Sequence, residues 1–315
     1  MNLPGPPEIN HRLEPLISLR TKVPLTEYTF GMPPDAPTPL IQVDELQGLL
    51  AGPNAGQPVV LDVRYQMTGP TGRREFERAH IPGASYVDMD TALATIRPDG
   101  VGGRHPMPSV ETFTAAMRLA GVTMSRQVVA YDDWDSLPAS RVWWMLRRLG
   151  FLDVRVLDGG IGAWTSADQP TESGPGASVA GDFTASRRGV GHLLNSTEAA
   201  TYASQHLLLD ARSAARFRGE NETIDAVAGH IPGALSAPAL DNVDPDGRFL
   251  PPEDLAGRFR QLGVTDTKPV GTYCGSGVQA THLALALSVA RVTDADAYIG
   301  SWSEWITDPA HPVET

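Results

Sequence analysis

Apolar residues along this chain fall into two alternating patterns. Short runs such as HLLLDA (206–211) and KPVGTYC (268–274) are apolar on consecutive positions and read as strands. Other stretches show helical spacing: PEDLAGRFRQLG (252–263), which Gly263 ends, and ATHLALALSVA (280–290), whose apolar positions cover several faces. Strands alternating with helices predict a parallel sheet covered on both sides. Such sheets bind ligands at the carboxyl ends of their strands, where loops lead into helices.

The pattern is written twice. VVLDVR (59–64) returns as LLLDAR (207–212), AHIPGASYVDMD (79–90) as GHIPGALSAPAL (229–240), and VVAYDD (128–133) as VGTYCG (270–275). DGGIGAW (158–164) returns more weakly as IGSWSEW (299–305), and the order is kept. The separation narrows from 150 residues at the histidine of HIPGA to 142 at Tyr131 and Tyr273, as loop insertions produce. Two units of this length make two domains rather than a solenoid. Residues 41–165 are expected to form the first and 183–315 the second. SADQPTESGPGASVAGD (166–182) has linker composition, and the proline-rich residues 1–40 read as an extended arm.

Composition narrows the class. A formal net charge of −12 argues against a nucleic-acid binder. One cysteine forms no internal disulfide and fits a reducing cytosol, so a cytoplasmic location is expected. No apolar run approaches the ~20 residues that span a bilayer. The opening MNLPGPPEINHRLEP lacks the basic-then-apolar order of a signal peptide. One cysteine and scattered histidines give no metal-ligand spacing, so neither metal nor cofactor is expected.

That one thiol, Cys274, stands where a strand ends and GSGVQA (275–280) turns toward a helix. Gly275 and Gly277 are free to take positive φ, so the N–H groups of Gly275, Ser276, Gly277, Val278, Gln279 and Ala280 can converge as an anion nest. The following helix points its positive end the same way. These surroundings predict a thiolate nucleophile, and the same amides would hold a persulfide anion. A lone cysteine is more commonly a small buried apolar residue, but the strand–loop–helix setting argues otherwise here. A phosphatase loop would need a guanidinium to close on phosphate, and no arginine or lysine follows Lys268 until Arg291.

The paired LDVR and LDAR, the paired HIPGA, CGSGV and GSWSEW together resemble the two-domain rhodanese family of sulfurtransferases, over roughly residues 40–308. The resemblance implies an α/β fold of two tandem rhodanese-like domains, each a five-stranded parallel sheet flanked by helices, with only the second catalytic. It implies double displacement: thiosulfate or 3-mercaptopyruvate passes a sulfane sulfur to Cys274, and cyanide, a thiol or a thioredoxin-like protein removes it. Asp132 stands opposite Cys274 in the first copy and cannot carry that sulfur, so this copy is expected to supply one wall of a cleft, with Trp134 and Arg141 as candidates. Arg216 matches the family arginine that reaches over the loop to the donor's anionic group. Asp62 and Asp210 are expected to pair with Arg64 or Arg212.

His80 and His230 open HIPGA turns in both copies, which favours a turn role for each. The mercaptopyruvate branch also implies a place in the cleft for His80, together with the loop serine, Ser276. The aspartate of that relay, however, is Thr71 or Gly72 here. Neutral Gly275 and Ser276 resemble that branch; the lack of an arginine just before the second GHIPG does not. The alternative is a non-catalytic binding or regulatory protein on a rhodanese scaffold. Such a relic would more readily have lost the cysteine or its glycine-rich loop, as the first copy has.

Overall fold

A computed structural model describes residues 38–68, 71–97, 99–176 and 179–315. Most of the arm expected over residues 1–40 lies outside the described residues. β1 (Leu40–Ile41), β2 (Val59–Asp62), β3 (Ser85–Tyr86), β4 (Val128–Tyr131) and β5 (Val154–Leu157) form a parallel sheet in the order β1-β5-β4-β2-β3. β6 (Leu207–Asp210), β7 (Leu235–Ser236), β8 (Val270–Tyr273) and β9 (Asp296–Ala297) form a second, in the order β7-β6-β8-β9. Both are flanked by helices, so the central strands β2, β4 and β8 are buried throughout.

The second sheet has four strands, not the five expected. Where β1 lies on the first sheet, Leu193 makes only a single parallel bridge to Ala297. The chain before it is held by the first domain: Ser186 N–H donates to Leu149 O at 2.7 Å and Val190 N–H to Arg147 O at 3.2 Å. Asn195 then caps the next helix. Little chain is left to run along the sheet edge. The linker-like segment also follows the first domain, where His80 and Glu172 exchange backbone hydrogen bonds at 2.8 and 2.9 Å. Phe183 packs edge-on to Phe113 and Phe151.

The repeated motifs build the same corner twice. Arg64 pairs with Asp62, and Arg212 with Asp210, each at 2.7 Å and buried. Each guanidinium also donates to the carbonyl before HIPGA, Ala79 O at 2.6 Å and Gly229 O at 2.7 Å. The ion pair thus ties a strand end to the turn beside it. Tyr131 and Tyr273 complete the corner, their hydroxyls accepting from Ile81 N–H and Ile231 N–H at 3.2 Å.

The helix Val278–Val289 is apolar on all sides because it is covered on all sides. One face lies on β8 and the other on the helix Leu137–Arg148 of the first domain. Trp143, Leu146, Leu283 and Leu287 belong to a single hydrophobic cluster that crosses the domain boundary.

Candidate active site between the domains

Cys274 follows the last residue of β8 and is 1% exposed. Its backbone is fastened by a turn from the end of the chain. Cys274 N–H donates to Ser301 Oγ at 3.1 Å, and Ser301 Oγ donates to Tyr298 O at 2.8 Å. Trp302 N–H donates to Cys274 O at 2.9 Å and Ser303 N–H to Gly275 O at 3.0 Å. Ser301 holds φ +56, a left-handed conformation uncommon for a residue with a Cβ. The matching residue of the first domain is Gly160, also at φ +56.

Gly277 N–H donates to Cys274 Sγ at 3.0 Å. Gly277 has φ +85, and a Cβ there would meet Ile299 O at 2.3 Å. Gly275, in contrast to expectation, is not at positive φ. A Cβ at that position would meet Arg104 Nη2 at 2.7 Å and Arg216 Nη1 at 3.4 Å, so its glycine makes room for two guanidinium groups. Ala280 lies in the first turn of the helix and is fully buried, and its carbonyl accepts from Thr272 Oγ1 at 3.0 Å.

Cys274 opens onto a cleft of about 650 Å³ between the domains. The second domain contributes Arg216, Ile224, Gly275, Ser276, Val278 and Gln279, and the first Tyr65, Met67, Ile96, His105, Trp134 and Leu137. A mostly apolar wall with a few polar groups is the usual character of a small-molecule site.

Two arginines close over the loop. Arg216 pairs through Nε with Glu222 at 2.8 Å and through Nη2 with Asp225 at 2.7 Å. Arg104 comes from the first domain, pairs with the other oxygen of Asp225, and donates its backbone N–H to Ser303 Oγ at 3.0 Å. Burial would push Glu222 up, but its hydrogen bonds from Arg216, Asp225 N–H and Ile224 N–H bring it below the usual carboxylate range. Opposite them, Tyr65 Oη lies 3.3 Å from His105 Nε2, with Asp90 Oδ1 3.7 Å from the same nitrogen. Burial, reinforced by Arg141 and Arg104, pulls His105 down to about 4, so its imidazole is neutral at neutral pH.

Trp134 and Arg216 line the cleft, while Arg141 and the HIPGA histidines do not. His80 is fully buried away from it, stacked on Phe76 at 3.9 Å with Nδ1 2.8 Å from Phe76 O. His230 does the same against Phe217, so the HIPGA histidine is a turn anchor in both copies. Arg141 does not line the wall but is fully buried behind it. Sequence reading missed Arg104, His105, Tyr65 and Asp90. The only signal was the turn GGRHP (102–106), whose glycines let a cation and an imidazole approach another chain segment.

The matching loop of the first domain carries a carboxylate in place of the thiol. Asp132, at the end of β4, accepts from Trp134 N–H at 2.9 Å, Ser136 N–H at 3.0 Å and Ala139 N–H at 2.8 Å. Its carboxylate fills the nest. Burial nevertheless pushes it up to about 7, against the pull of those amides.

Residues 42–167 and 193–308 each match the profile of the rhodanese-like domain. A Pseudomonas aeruginosa protein assigned as a 3-mercaptopyruvate sulfurtransferase is 42% identical over 88% of this chain and 98% of its own length. A Mycobacterium tuberculosis protein assigned as a thiosulfate sulfurtransferase is 40% identical over 87% and 96%. The crystal structure of the 3-mercaptopyruvate sulfurtransferase relative from Escherichia coli superposes with a TM-score of 0.72, at 31% identity, over 85% of this chain and all of that one.

Proposed function

The chain belongs to the family of rhodanese-like domain proteins and is a sulfurtransferase, and on that premise we propose that Cys274 carries a sulfane sulfur between an anionic donor and a nucleophilic acceptor. In the first half-reaction the Cys274 thiolate attacks the donor's transferable sulfur. The donor's S–S or C–S bond breaks, and sulfite or the enolate of pyruvate leaves with the electron pair. In the second, the acceptor attacks the outer sulfur of the persulfide and releases the thiolate. Acceptors are cyanide, a small thiol or the thiol of a thioredoxin-like protein, in the cytoplasm. Catalysis belongs to residues 183–315, with residues 41–165 as the partner wall and 166–182 joining them.

The observation that carries this reading is the sole thiol of the chain, at a strand end on the cleft floor, with Gly277 N–H 3.0 Å from its sulfur. Ser276, Val278 and Gln279 would face donor and outer sulfur, and Arg216 with Arg104 would bind the donor's anionic group. Arg104 and Arg216 are matched by Asp225 and Glu222, so the cluster offers no net positive charge to a dianion. That favours 3-mercaptopyruvate over thiosulfate as donor. Incubation with each donor followed by intact-mass measurement should show one added sulfur, released by cyanide and lacking in Cys274→Ser. Turnover by the serine variant near the wild-type rate would refute it.

A further inference from the structure

Four guanidinium groups surround Cys274, and they differ in what neutralises them. Arg212 pairs with Asp210. Arg216 pairs with Glu222 and Asp225, and Arg104 shares Asp225. Arg141 is fully buried, and its hydrogen bonds run to carbonyls: Leu93 O at 3.1 and 3.0 Å, His105 O at 2.7 Å and Gly277 O at 3.2 Å. Among the described residues no carboxylate lies within ion-pair distance of it. Carbonyls satisfy its N–H groups but leave a whole positive charge in a dry interior, which is costly without a counter-anion.

The sulfur is the counter-anion within reach. Arg141 Nη1 holds the carbonyl of the residue, Gly277, whose own N–H holds Cys274 Sγ. Burial pulls Arg141 down to about 10, and a negative charge on the sulfur would oppose that pull. The first domain supplies the comparison. The position of Arg141, fifth in the helix after β4, is taken by His282 in the helix after β8. Burial pulls His282 down to about 3, so it is neutral. Asp132, with three amides, is pushed up to about 7. With three amides but no cation, a carboxylate at this depth is only about half ionised at neutral pH.

We propose that Arg141, carried by the first domain, is a positioning residue that keeps the sulfur of Cys274 anionic, as thiolate and as persulfide; this rests on Cys274 being the sulfur carrier. The domain without a nucleophile thus supplies the charge that the nucleophile of its neighbour needs. His105, which faces Arg141, is neutral and cannot substitute for it.

Because the chain has one thiol, alkylation reports on Cys274 alone. The rate with iodoacetamide is to be followed against pH in full-length wild type, Arg141→Met and Arg141→Lys. The methionine variant should move the midpoint of the profile upward by about one to three pH units, the effect of losing a nearby opposite charge. The lysine variant should restore most of it, which a purely structural role would not predict. If the methionine variant does not fold, wild type carrying a carboxymethyl adduct from iodoacetate should melt higher at pH 8 than wild type carrying the neutral carbamidomethyl adduct. An unmoved methionine profile, or equal melting of the two adducts, overturns the role of Arg141. Sulfur uptake by wild type separates the two readings. Uptake with an unmoved methionine profile overturns Arg141 alone. No uptake overturns Cys274 as carrier, while a shifted profile would still establish the charge coupling.

Discussion

Asp132 follows β4 as Cys274 follows β8, and its carboxylate takes up the amides that would otherwise receive an anion. The first loop is occupied by its own side chain. Because burial raises Asp132 to about 7, above the ~3.9 of an unfolded aspartate, its contribution is fully present below about pH 3.9 and is lost as pH rises toward 7. Wild type should therefore lose stability relative to Asp132→Asn between those values, with a constant difference above and below. Melting temperatures of the two proteins from pH 3.5 to 8 test this; a pH-independent difference contradicts it.

Ser301 is held at φ +56 by its work on the loop. Ser301→Gly relieves the backbone but leaves Cys274 N–H without its acceptor, so it should melt near wild type while kcat/KM falls about tenfold, equivalent to roughly 1.4 kcal/mol. Ser301→Ala keeps the strain and loses both hydrogen bonds, and should also lose about 1–3 kcal/mol of stability. Equal stability of the two variants would count against this account.

The two loop glycines should fail differently. Gly277→Ala puts a Cβ at 2.3 Å from Ile299 O on a left-handed backbone. The backbone alone costs about 1–2 kcal/mol, so denaturant midpoints should drop sharply. Gly275→Ala meets the tips of two arginines, which can move. Its stability should be near normal while KM for the donor rises. A stability loss at Gly275→Ala as large as at Gly277→Ala would refute the distinction.

On the proposed function, Asp225 holds both guanidinium groups that would bind the donor. Asp225→Asn releases Arg104 and Arg216 from a shared carboxylate, and one regained charge-assisted contact is worth roughly 1.5–3 kcal/mol. KM for thiosulfate should fall about tenfold or more, with a smaller change for 3-mercaptopyruvate. Steady-state kinetics with both donors decides; unchanged selectivity would mean that other groups bind the anion.

What the sequence discloses is what acts locally. The Asp–Arg pairs, the HIPGA turns and the thiol at a strand end are each written within a few residues, so their geometry follows from the motif. Arg104 is invisible at that range: its partners, Asp225 and Ser303, lie 121 and 199 residues away. Arg141 reads from the sequence as a cleft-wall residue, because the carbonyls that bury it, Leu93 O, His105 O and Gly277 O, lie 36 to 136 residues away. The missing fifth strand has the same origin, since residues 186–190 are bound to the first domain's helix end.

The helix Val278–Val289 has no face of its own to show to water. Its apolar surface toward the first domain is the surface of half a protein, and each copy is the solvent of the other. Calorimetry should accordingly give a single transition. Neither copy can be removed without exposing the core of the other, so the packing that keeps the second copy folded also keeps the first.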